Sequence, residues 1–161
     1  MISKAFTLIE VLIATFIIVL VMAGAFTLIW QTTHFTNDAF SRLVAAYLCQ
    51  EGIELMRHIR DSNWLHQRSV AGFAWDAGLS GGQWEMDYND SVPTAYSGRY
   101  LGVGTFYSYD SGPATSPFQR KITIENAGTD IIKILVEVSW SEHGKQQKVT
   151  AAENLYNFLQ L

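Results

Sequence analysis

Glu10 is the single ionisable side chain in residues 6–30, FTLIEVLIATFIIVLVMAGAFTLIW. A carboxylate in such surroundings costs about 2.5 kcal/mol or more at a bilayer centre and less near its edge, so it calls for a positive partner or a task. The other groups able to do chemistry are scattered. Asp87, Asn89 and Asp90, with Asp110 further on, gather oxygen ligands, but no downstream glutamate completes a calcium loop. His34, His58, His66 and His143 lack HExxH spacing and any cysteine cluster, so no zinc site is predicted. Gly102-Val103-Gly104 lacks the third glycine of a dinucleotide fingerprint, and there is no GxxxxGK[ST] phosphate loop. Ser, His and Asp occur without a Gly-x-Ser-x-Gly elbow to present a nucleophile. No catalytic residue, metal or cofactor is therefore expected. Asn89-Asp90-Ser91 matches a glycosylation sequon, a pattern short enough to arise by chance.

The element that must position Glu10 follows from its neighbours. Residues 11–30 are 20 consecutive uncharged residues, and at about 1.5 Å rise per residue a helix of that length spans roughly 30 Å, the thickness of a bilayer core. Lys4 and the initiator amine precede the span, which by the positive-inside rule leaves the N-terminus cytoplasmic and carries the remainder outward. A secretory signal is the competing reading, because Ala23-Gly24-Ala25 forms an A-x-A-like site after an apolar core and would leave Phe26 as the first residue. Against it stand the acid within the apolar region and the continuation of that region to Trp30.

The octapeptide Lys4-Ala5-Phe6-Thr7-Leu8-Ile9-Glu10-Val11 resembles the processing site of type IV pilins and type II secretion pseudopilins. The resemblance implies that a prepilin peptidase cuts between Ala5 and Phe6, methylates the new Phe6 amine and leaves Glu10 as the fifth residue. The family usually has Gly before the cut, and Ala5 keeps a small residue there. The resemblance also gives Glu10 its task, which is to neutralise the terminal amine of a neighbouring subunit and so set the axial register of adjacent helices. Buried polar groups are best attested in that role.

Beyond the span, the formal charge of −4 offers no basic field for nucleic acid. The lone Cys49 excludes an intrachain disulfide and reads as a small packing residue. Nothing breaks a helix between residues 6 and 64 except Gly24 and Gly52. In its second half Leu43, Ala46, Cys49, Ile53, Met56 and Ile59 form an apolar stripe, while Arg42, Gln50, Glu54, Arg57 and Asp61 lie opposite, Arg57 and Asp61 at pairing distance. Residues 65–117 form a connector rich in Gly and aromatics, with short strands expected at 83–88 and 106–109. Its Trp75, Trp84, Tyr88, Tyr96, Tyr100, Phe106, Tyr107 and Tyr109 are expected to fill a core and anchor loops, a sugar or partner surface being the alternative. Residues 118–161 alternate in strand fashion: Ile122 and Ile124, then Ile132, Ile134, Val136, Val138 and Trp140, then Val149, Ala151 and Leu155, with turns at 126–130 and 142–145.

These patterns predict an α+β fold: a leader (1–5), a membrane or filament-core helix half (6–30), an amphipathic half (31–64) and a head (65–161) in which the helix packs on a C-terminal antiparallel sheet. That layout resembles the pilin fold, and the segment AAYLCQEGIELMRHIRDSNW (45–64) resembles the distal helix of certain minor pilins. The resemblance implies a minor pilin or pseudopilin, held in the inner membrane by one span and then built into an extracellular or periplasmic filament. The partners it implies are other pilin subunits, a prepilin peptidase, an inner-membrane platform protein and, indirectly, an assembly ATPase. A single-pass anchored extracytoplasmic binding module is the alternative from another class.

Overall fold

The computed structural model describes residues 7–110, 114–126 and 128–158. One helix, α1 (Leu8–Ser69), is followed by seven strands: β1 (Gly82–Glu85), β2 (Thr94–Ala95), β3 (Tyr100–Val103), β4 (Tyr107–Ser108), β5 (Ala114–Asn126), β6 (Ile131–Glu142) and β7 (Lys145–Tyr156). The chain divides into two compact units, Met1–Phe40 and Ser41–Leu161.

In the first unit the described residues are helical from Leu8 and their apolar side chains are exposed. This helix is long and apolar enough to cross a membrane. Its polar side chains look after themselves: the hydroxyls of Thr15, Thr27, Thr32, Thr33 and Thr36 donate to carbonyls four residues earlier at 2.8–3.0 Å. Such back-bonding removes hydroxyls that would otherwise be unsatisfied away from water.

In the second unit α1 lays Ala45, Leu48, Cys49, Gly52, Met56 and Ile59 on the sheet. The buried line runs through Ala45 and Gly52, one step round from the predicted stripe, and Leu43 is exposed. Small residues win these positions because the helix comes close to the strands: a Cβ on Gly52 would lie 2.9 Å from Val136 Cγ1. Helix C-terminal to 64 continues to Ser69, where His66 and Arg68 occupy the last turn and suit its negative end.

Strands β5, β6 and β7 form an antiparallel meander. Alternation puts Ile132, Ile134, Val136, Val138 and Trp140 of β6 inward with 0–3% exposure, each such burial stabilising by roughly 1.5–3 kcal/mol. The β6–β7 hairpin turns through His143 and Gly144, both left-handed (φ 51° and 74°), between the paired Glu142 and Lys145. This is the two-residue geometry that matches strand twist. The edge of β5 away from β6 is shared: β1 pairs with its 122–124 segment and β3 with 114–119. The first strand of the meander thus begins at Ala114 rather than 118, passing Pro117 where the register with β3 shifts. A strand tolerates a proline at such an irregularity. The expected strands at 83–88 and 106–109 shorten to β1 and β4, and β2 and β3 lie where loop was expected.

Candidate functional site

At the N-terminal end, Thr7 precedes the first helical residue and its oxygens close the first turn. Thr7 O accepts from Glu10 N (3.1 Å) and Val11 N (3.3 Å), and Thr7 Oγ1 lies 3.4 Å from Glu10 N. Thr7 is therefore the N-cap and Glu10 the third helical residue, the T-x-x-E spacing of a capping box. The signal was plain in the sequence and was obscured by the membrane reading. An acid in the first turn also complements the positive end of the helix dipole. Glu10 is exposed, and the processing positions Ala5 and Phe6 lie outside the described residues.

The oxygen cluster of the connector is spent on holding loops together. The Asp87 carboxylate, 1% exposed, accepts from Tyr88 N (2.7 Å), Tyr109 N (2.7 Å) and the Ser108 hydroxyl, so it ties the end of β1 to β4. Asp90 accepts from Asp87 N at 2.8 Å, and Asn89 donates to Asp110 at 3.1 Å. Glu85, 2% exposed, is matched by the Ser97 amide and hydroxyl and by Arg99 Nε at 2.6 Å, an ion pair that holds the Arg99 proton more firmly.

Arg120, wholly buried on an inward position of β5, is the polar hub that sequence reasoning missed. It donates to Leu48 O on the helix and Met86 O beyond β1, and its Nη1 stands 3.2 Å from Glu51 Oε1. The Tyr109 hydroxyl donates to Arg120 O at 3.0 Å, and burial pushes the Tyr109 pKa up to about 12. Period-two alternation with Phe118, Ile122 and Ile124 was the signal that could have found this arginine. Arg57 does not pair with Asp61: it meets Glu153 of β7 and Glu54, while Asp61 meets Arg60. Buried Cys49 packs with Sγ 3.5 Å from Val149 O, and burial raises its pKa.

The histidines are dispersed: His34 lies against Trp30 with ring centroids 4.1 Å apart and planes tilted by 60°, His58 and His66 lie on the distal helix, and His143 sits in the hairpin turn. The connector aromatics divide. Trp75, Trp84, Tyr107 and Tyr109 join or abut the core, whereas Tyr88, Tyr100 and Phe106 are more than half exposed.

Comparison with protein-family models, with curated proteins and with solved structures finds no match.

Proposed function

We propose that this chain is a structural subunit, a minor pilin or pseudopilin, of a type IV pilus or type II secretion-like filament, and that it acts by assembly without catalytic turnover. The observation that carries this reading is Glu10 on the first turn of a helix whose next 20 residues are uncharged and exposed. A polymer supplies both things that helix lacks: apolar neighbours along its length and, at its start, a Phe6 amine freed by a prepilin peptidase on the adjacent chain. Two unpaired charges in that environment would be costly, and pairing them fixes which axial stagger is lowest in energy.

Helix packed on antiparallel sheet in the second unit supports the same reading. On this reading Lys4, by the positive-inside rule, keeps the N-terminus in the cytoplasm and the head outside. An inner-membrane platform and an assembly ATPase would then extract the subunit.

The chemical state of the mature N-terminus tests this. Mass spectrometry of protein purified from its host is expected to find a chain beginning at N-methyl-Phe6. A chain beginning at Met1, or at Phe26 after a secretory cut, overturns the reading. The exposed Tyr88 and Phe106 favour one other possibility, an anchored binding module for which the helix is only a tether. A tether is indifferent to replacement of Glu10, and a filament subunit is not.

A further inference from the structure

We propose that the cleft between the distal part of α1 and the loop after β1 binds a neutral saccharide. It encloses about 480 Å³, within the range of small-molecule sites. It lies wholly within the second unit, so it stands whether the helix polymerises or merely anchors.

One wall is a single helix face, Leu55, Ile59, Ser62 and His66, spaced four, three and four apart. His66 is backed by Phe73, ring centroids 5.5 Å apart. The facing wall is the loop Tyr88-Asn89-Asp90-Ser91. Tyr88 is 53% exposed and leans on Phe106, 65% exposed, at 5.4 Å. Together the two rings offer an open apolar surface at the mouth of the cleft.

Two observations select the ligand class. Aromatic and aliphatic surface sits beside neutral hydrogen-bonding groups, Ser62, Asn89 and Ser91, which suits a ligand with an apolar ring face and a rim of hydroxyls. No lysine or arginine lines the cleft, so a phosphate, sulfate or uronate would meet only the imidazoles of His58 and His66 and would face the Asp90 carboxylate, which favours a neutral ligand. The loop is also set in advance. Tyr88 N is held by the buried Asp87 carboxylate, Asp87 N by Asp90, and Asn89 by Asp110, which reduces the ordering cost of binding.

The test uses the full chain in lipid nanodiscs, which avoids sugar-headed detergents, with cellotriose, maltotriose and N-acetylated chitotriose as probes and saturation-transfer NMR plus intrinsic fluorescence as readouts. At least one neutral trisaccharide is expected to bind, Tyr88→Ala to weaken it about tenfold and Tyr88→Phe to leave it within about twofold. Glucose 6-phosphate is expected not to compete. Absence of binding to all three probes at about 10 mM overturns the proposal, as does equal affinity of Tyr88→Ala or preferential binding of the phosphorylated sugar. Tyr88 is exposed, and an unchanged far-ultraviolet spectrum of the variant verifies that its fold is intact.

Discussion

Gly52 lies close against Val136 of the sheet, with 2.9 Å between a Cβ built on the glycine and Val136 Cγ1 and 3.3 Å to Arg120 Cδ. Gly52→Ala would gain about 1 kcal/mol of helix propensity and lose about 1–3 kcal/mol to overpacking, because the branched valine is held in the sheet and has little room to give. Net destabilisation is expected, seen as a lower denaturant midpoint for the full chain in nanodiscs. Val136→Ala in the same chain should relieve part of it, giving a favourable coupling term. A more stable single variant would show that the helix is free to move away.

This contact also shows what the sequence disclosed and what it withheld. The long helix and the β5–β7 meander were legible because their apolar periods are sustained and the His143-Gly144 turn is explicit. The phase of the helix stripe was not. Ranking positions by apolar size favoured Leu43 and overlooked Ala45 and Gly52, whose value lies in having little or no side chain. β2 and β3 were missed because each is short and takes its order from a partner rather than from its own pattern, β2 from β1 and β3 from the outer edge of β5. At the N-terminus the acid was conspicuous, whereas its companion Thr7 passed for one more residue of the span.

Arg120 is fully buried, and its charge is met by one carboxylate and two carbonyls. Glu51 Oε1 approaches outside hydrogen-bond geometry, and Arg120 Nε has no acceptor among the described residues. The cluster is thus a costly device that orients helix, β1 and β5 about one side chain. Arg120→Ala should cost about 3–5 kcal/mol by leaving a cavity and stranding its acceptors, whereas Arg120→Met, which refills the volume, should cost clearly less. Equal losses for the two variants would mean that charge alone matters.

Glu137 on β6 lies between Lys121 of β5 (2.9 Å) and Lys148 of β7 (3.0 Å), and these hydrogen bonds hold its carboxyl below the ordinary 4.5. A depressed folded-state pKa contributes stability that is present above the unfolded value and is lost as pH falls from about 4.5 through the folded value. Glu137→Gln should therefore unfold more easily than the parent at pH 7, by up to about 1 kcal/mol, and the gap should narrow progressively as pH is lowered below the ordinary 4.5. Denaturant midpoints measured from pH 7 downward check the slope. A gap that stays constant with pH would assign the effect to packing and not to charge.

Glu10 stands three residues after Thr7, so two roles compete for it: closing the first helical turn and neutralising an amine on a sister chain. Glutamine separates them, because it serves at the third helical position of a capping box as glutamate does but carries no charge. If charge is the function, Glu10→Gln and Glu10→Ala should both insert into the membrane normally and both fail to enter filaments, with sheared-filament fractions depleted at least about tenfold. Thr7→Ala, which loses the cap at about 1 kcal/mol and keeps the carboxylate, should still assemble. The opposite pattern, in which Glu10→Gln assembles and Thr7→Ala does not, would make the conspicuous acid a helix-starting residue and leave the register of the polymer to apolar packing alone.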